Sequence, residues 1–249
     1  MAALRESLRD LRRFLFGSWP RGVFGAWFCL LMLAFVKNAI AAEKVSDRVM
    51  ALGVLTTAAS TFVFWVCRHG LKRAVGNWQL APGLRFVIIG GLGGVWAEFL
   101  FWAHQTAFGI TGVAANANFG LDLAVTMPWY LLMLALLWRV VTRRAYAFRE
   151  LALLGGVYDM CADGLLRQTI GGAVSLQAAA LDVVVLPMFI VAYSIMVLPA
   201  CVLLADDIAR IRDTRPQRPR GRLLYGLLPV TGLVPYTVML IVAGGGLWK

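Results

Sequence analysis

The stretch "LGGVYDMCADGLLRQT", residues 154–169, decides how this chain folds. Its glycines and apolar residues read as a helix inside lipid, yet Asp159 and Asp163 stand four positions apart within it. Taken as a crossing, it makes the chain a seven-helix protein with carboxylates inside the membrane. Taken as a re-entrant loop, it leaves six crossings and reverses everything downstream.

The basic residues choose between the two. Helices are expected near 23–42, 50–67, 85–104, 121–141, 148–167, 178–204 and 224–247. With all seven crossing, 19 of the 24 Lys and Arg residues fall on one side. They are Arg5, Arg9, Arg12, Arg13 and Arg21; Arg68, Lys72, Arg73 and Arg85; Arg139, Arg143, Arg144 and Arg149; and Arg210, Arg212, Arg215, Arg218, Arg220 and Arg222. The other side holds Lys37, Lys44, Arg48, Arg167 and Lys249. Short cytoplasmic loops concentrate Lys and Arg, and a re-entrant 151–166 would set two arginine-rich loops on opposite sides. The expectation is therefore a basic cytoplasmic tail, 1–22, and a seven-helix membrane domain, 23–248, with a basic, Pro-containing cytoplasmic loop at 206–222. The C-terminus lies outside, and the location is the cytoplasmic (inner) membrane.

Composition agrees. Of the 249 residues, 60% are hydrophobic and 15% charged, with a mean hydropathy of +0.75, whereas soluble domains are about 45–50% apolar. The excess lies in runs such as "VFGAWFCLLMLAFV" and "MPWYLLMLALLW", which read as transmembrane helices. The net charge of +11 sits in short loops, where it suits anionic lipid head groups rather than nucleic acid. Membrane lipids are the expected partners. Cys29, Cys67, Cys161 and Cys201 lie in apolar runs without metal spacing, and His69 and His104 are the only histidines, so no metal site and no cofactor is expected. The glycine run "GGLGG" has no strand–helix unit around it and is no nucleotide fingerprint. Ala39-Ile40-Ala41 resembles a signal-peptide end, but Lys37 and the long tail before it argue for retention.

The sequence also repeats. "LGGVWAEFLFWAHQTAFG" from 92 resembles "LGGVYDMCADGLLRQTIGG" from 154, and "LDLAVTMPWYLLML" from 121 resembles "LDVVVLPMFIVAY" from 181. Units 85–144 and 148–207 each comprise an outward helix, a loop and an inward helix, which is a parallel internal repeat. Asp122 and Asp182 open the inward helices and are read as helix-capping residues. Pro128 and Pro187 should bend those helices, and Gly90, Gly94, Gly155 and Gly156 should be packing surfaces.

Glu98, Asp159 and Asp163 are the candidate catalytic residues. Glu98 and Asp163 each lie thirteen positions beyond a cytoplasmic boundary residue, Arg85 and Glu150, which places both about 20 Å into the membrane at 1.5 Å per residue. A charge at that depth costs at least about 2.5–3.5 kcal/mol, so three carboxylates point to a function. A carboxylic acid in an apolar, aromatic-lined pocket can donate or carry a proton. Trp102, His104, Gln105, Tyr158 and Arg167 are the expected supporting residues. The alternative is a structural network in which some of these satisfy the carboxylates.

Glu98, Pro128-Trp129 and the Asp159-Met-Cys-Ala-Asp163 run resemble the acidic pattern of the membrane carotenoid hydratases, and "EFLF" at 98–101 is similar to a motif of the membrane lycopene cyclases. The resemblance covers about residues 90–165. It implies acid chemistry on a long, apolar, isoprenoid-like substrate. Three functions stay open: that chemistry, proton- or cation-coupled transport of a small solute, and a scaffold whose carboxylates only join helices.

The topology makes a direct prediction. A cysteine placed at Asn116 in a cysteine-free background is expected to react with an impermeant maleimide from the side opposite the arginine clusters. Labelling from the cytoplasmic side alone overturns it.

Overall fold

The computed structural model describes residues 5–10, 12, 19–166, 175–214 and 222–242, and among them every regular element is helical. The elements are α1 (Trp19–Ala41), α2 (Val45–Gly76), α3 (Pro82–Ala107), α4 (Phe119–Val141) and α5 (Phe148–Asp159), which passes into a π-helix, Met160–Leu166. They continue with α6 (Leu176–Val184), α7 (Leu186–Leu203), α8 (Ala205–Asp213), α9 (Arg222–Gly226), a 3₁₀ turn (Leu228–Gly232) and α10 (Leu233–Val242). Six segments are long and apolar enough to cross a membrane: α1 from Gly22, α2, α3, α4, α7 and the composite Leu224–Val242. This is an all-helical, multi-pass membrane protein.

The seventh expected crossing, 148–167, differs in character. Its α-helical part has 12 residues, about 18 Å at 1.5 Å per residue, and it changes to π geometry at Met160. It nevertheless runs from one end of the bundle toward the other. Phe148 packs edge-on against Trp65, with ring centroids 5.9 Å apart, whereas Asp163 reaches the cavity described below. Arg167 lies outside the described residues.

The expected helix 178–204 is broken. Pro187 has no N–H for the carbonyl of residue 183, and the Met188 N–H bonds Val185 O at 2.7 Å instead of Val184 O one turn back. Val184 O is satisfied by the Trp27 indole of α1 at 3.1 Å. Pro128, in contrast, lies within an uninterrupted α4.

α7 is the centre of the bundle, packed by α2, α3 and α5, with 83% of its membrane window buried. Glycines allow that approach. A methyl at Gly93 would meet Ile195 O and lie 2.9 Å from Met196 Cα, and one at Gly156 would lie 2.9 Å from the Ile190 nitrogen. In lipid, helices associate through such close packing rather than through a hydrophobic drive. α2 adds polar links: Thr61 Oγ1 lies 3.2 Å from Ser194 Oγ on α7, and Thr56 Oγ1 lies 3.2 Å from His104 Nε2 on α3.

The basic connections gather at one end. Arg68 pairs with Glu6 at 2.9 Å, Lys72 with Asp206 at 2.7 Å and Arg85 with Asp207 at 2.8 Å. The Arg144 guanidinium lies over the Tyr225 ring, 5.5 Å from its centroid. The N-terminal helical stretch, the α2–α3 and α4–α5 connections, α8 and α9 thus share this end.

Gly93→Ala and Gly156→Ala are expected to cost about 1–3 kcal/mol each, because backbone must move to admit the methyl. Gly70→Ala, whose added methyl meets nothing within 4 Å, is the control and should be neutral or slightly stabilising. Thermal unfolding in detergent checks both.

Candidate functional site

Glu98 projects from the middle of α3, one turn beyond Gly94. It is flanked by α4, because a methyl at Gly94 would lie 2.9 Å from Tyr130 Cδ2. The Tyr130 hydroxyl donates a hydrogen bond to Glu98 Oε1. The Asp122 carboxyl is near enough to interact electrostatically with Glu98.

Asp122 is not a helix cap. The N-cap of α4 is Asn118, whose side chain accepts from Leu121 N at 3.2 Å. Asp122 is fully buried in the first turn and its Oδ1 accepts from Asn116 N at 2.9 Å. Its Oδ2 has no N–H or hydroxyl donor among the described residues. Asn118 is the better cap because it stands immediately before the first turn, where its carbonyl reaches the free amides. Asp182 does not cap either: α6 starts at Leu176, so Asp182 falls near its C-terminal end. It is buried and lines the cavity.

The second acid pair lies at the junction of α5 with the π-helix. Asp159 and Asp163 stand four residues apart and interact electrostatically. Asp159 is 2% exposed, whereas Asp163 is exposed at the cavity's open side. π-Helical turns occur often at functional sites. Here the turn carries Asp163 while keeping it against the last α-helical turn.

Glu98, Asp159, Asp163 and Asp182 all line one cavity of about 270 Å³. Its walls include Phe101, Trp129, Tyr130, Phe189, Tyr193 and Tyr236, and no Lys or Arg stands among its described lining residues. Val113 and Ala115, in the loop between α3 and α4, form its rim. That loop lies at the end of the bundle away from the ion-paired basic connections. No group of three or more His, Cys, Asp or Glu side chains is arranged to hold a metal ion among the described residues.

Of the expected supporting residues, the four that are described stand outside the cavity lining. Gln105 secures the loop instead: its Oε1 accepts from Val113 N at 3.2 Å and Ala114 N at 2.9 Å, and its Nε2 donates to Asn116 O at 3.4 Å. Trp102 Nε1 donates to Ala117 O at 2.9 Å. His104 turns to Thr56 on α2. Tyr158 donates to Gly226 O at 2.5 Å, toward the basic end, because consecutive residues on a helix point about 100° apart and Asp159 takes the cavity face. Gly109 and Gly112, with φ of 65° and 90°, give the loop its two left-handed turns.

Sequence reasoning passed over Tyr130, Tyr193 and Tyr236, and assigned Asp122 and Asp182 to capping. The signal available was the Trp129-Tyr130 pair directly after Pro128, about two turns beyond Asp122 on the same helix.

Comparison of the chain with protein-family models, curated proteins and solved structures finds no match. The functional argument therefore rests on these residues.

Gln105→Leu is expected to cost about 1–3 kcal/mol, because it leaves two loop amides without an acceptor. Limited proteolysis between residues 108 and 118 should quicken in parallel with the fall in thermal stability.

Proposed function

We propose that this protein carries out acid–base chemistry on an unsaturated, isoprenoid-like lipid in the cytoplasmic membrane, with the basic end facing the cytoplasm. The observation that supports the reading is the convergence of four carboxyl groups, Glu98, Asp159, Asp163 and Asp182, on one aromatic-walled cavity with no Lys or Arg among its described lining residues. The similarity of Glu98, Pro128-Trp129 and Asp159/Asp163 to the membrane carotenoid hydratase pattern agrees with it.

The chemistry follows from the groups present. A carboxyl O–H gives its proton to one carbon of a C=C bond, whose π electrons form the new C–H bond. The positive charge left on the neighbouring carbon faces the rings of Trp129, Tyr130 and Tyr236, whose π faces attract cations. Loss of an adjacent proton to a carboxylate restores the alkene and the acid. At about 270 Å³, against roughly 300–1,000 Å³ for pockets that hold whole small molecules, the cavity takes the reacting end of a longer chain. The rest lies in lipid.

The two hairpins, α3–α4 and α5–α7, are read as copies in parallel orientation. Gly94 packs on Tyr130 and Gly156 on Ile190, and each hairpin supplies an acid from its first helix and an aspartate from the start of its second half. A second reading, cation- or proton-coupled transport of a small solute, draws on the loop residues Val113 and Ala115 at the rim, which put the cavity close to an aqueous face.

Deuterium uptake tests the proposal. Purified protein in D₂O is expected to exchange deuterium into the vinylic or allylic positions of acyclic isoprenoids, read by mass spectrometry. Glu98→Gln and Asp163→Asn should lower that exchange by about 10²–10⁴-fold while folded yield holds. Exchange untouched by both variants, or absent from every isoprenoid tried, overturns it. Proton-coupled uptake in proteoliposomes without exchange favours transport, and amide variants that only raise stability favour a structural network.

A further inference from the structure

Three of the four tyrosines buried in the bundle core place their protons on protein acceptors, and the fourth, Tyr193, faces the cavity. Tyr225, whose hydroxyl has no partner among the described residues, lies beside Arg144 instead. Tyr130 donates to Glu98, Tyr158 to Gly226 O and Tyr236 to Val125 O. Tyr193 is 2% exposed and lines the cavity, yet its only hydrogen bond among the described residues is one that it accepts. The Trp129 indole N–H, which can only donate, lies 2.9 Å from the Tyr193 oxygen. One lone pair is thus occupied, and the phenolic proton has no acceptor among the described residues. The ring itself is fixed: it stands edge-on to Tyr130 at 5.5 Å and 89°. A buried hydroxyl is rarely left without a partner, and the open space beside this one is the cavity.

We infer that Tyr193, oriented by Trp129, donates a hydrogen bond to an oxygen atom of the bound molecule, so the substrate is an oxygenated lipid, an alcohol, ether or carbonyl, rather than a plain hydrocarbon. This rests on the reading of the cavity as a lipid site. Adjacent residues of α4 divide the work: Tyr130 holds the acid Glu98, and Trp129 holds the donor that selects the substrate. An acceptor oxygen bound at Tyr193 sits beside the acid groups, which fixes which part of the chain faces Glu98 and Asp159. Tyr193 is in this sense a specificity residue and Trp129 a positioning residue.

The test compares geraniol with the matched hydrocarbon in which its hydroxyl is replaced by hydrogen. Full-length protein in detergent is titrated with each, and affinity is read from the thermal unfolding shift. Wild type is expected to bind the alcohol about tenfold more tightly than the hydrocarbon. Tyr193→Phe should bind the two alike, with the hydrocarbon's affinity unchanged. Because Tyr193→Phe strands the Trp129 N–H, the double variant Trp129→Phe/Tyr193→Phe, which removes both partners, is measured beside it and should show the same loss of preference. Equal binding of the two probes by wild type, or an alcohol preference that survives in both variants, overturns the inference and leaves the lipid site standing. Binding of neither probe by wild type overturns the lipid reading and the inference together.

Discussion

The close approach of α7 to α3 and α5 is the contact on which the rest depends. Ile195 O lies where a side chain at Gly93 would stand, and the Ile190 backbone lies where one at Gly156 would stand. With nothing larger than hydrogen at either position, three helices share one axis of contact, and acids from α3 and α5 reach the same space. A Cβ at either glycine would part the helices and separate Glu98 from Asp159. Lipid gives helices little hydrophobic reason to associate, so this packing and the polar links across it hold the bundle together.

Polar groups in such a bundle must find partners within the protein. Most do. The hydroxyls of Thr56, Thr57, Ser60 and Thr61 bond back to carbonyls of their own helix, and the Val184 carbonyl, left free where Met188 N turns to Val185 O, takes the Trp27 indole. Gln105 and Asp122 satisfy the amides of the α3–α4 loop. Among the described residues there are exceptions. Asp122 Oδ2 and the Tyr225 hydroxyl have no partner, as is true of single nitrogens of Arg48, Arg85, Arg144 and Arg212. At the cavity itself, Tyr193 accepts from Trp129 and has no acceptor for its own proton among the described residues.

The two ends of the bundle are built differently. At the basic end, ion pairs join the N-terminal stretch and α8 to the ends of α2 and α3, and Arg85–Asp207, the most enclosed of them, contributes most, since exposed pairs contribute little. At the other end, uncharged loop atoms are tied by side-chain amides and by Asp122. The ion-paired basic residues of the first end are thereby kept away from the acids, and Glu98 has the Tyr130 hydroxyl as its donor.

The sequence by itself determined the helical spans, because long apolar runs in lipid have few alternatives to helix. The expected limits 23–42, 50–67, 85–104 and 121–141 fall within α1, α2, α3 and α4 or within a residue of their ends. It also determined which residues are costly in a membrane, and Glu98, Asp159 and Asp163 do line one cavity. Their neighbours were decided by tertiary structure. Spacing along one helix shows that Trp102 and Gln105 lie near Glu98, but not that the loop would claim both. Asp122 and Asp182 each begin an apolar run, and only packing turns Asp182 to the cavity and Asp122 to the Asn116 amide in place of capping. The π turn at Met160, the break at Val185 and the pairing of Trp129 with Tyr193 have no local signature. They follow from how α7 fits between its neighbours, which depends on residues far apart in the chain, such as Gly93 and Ile195, being pressed together at a few glycines.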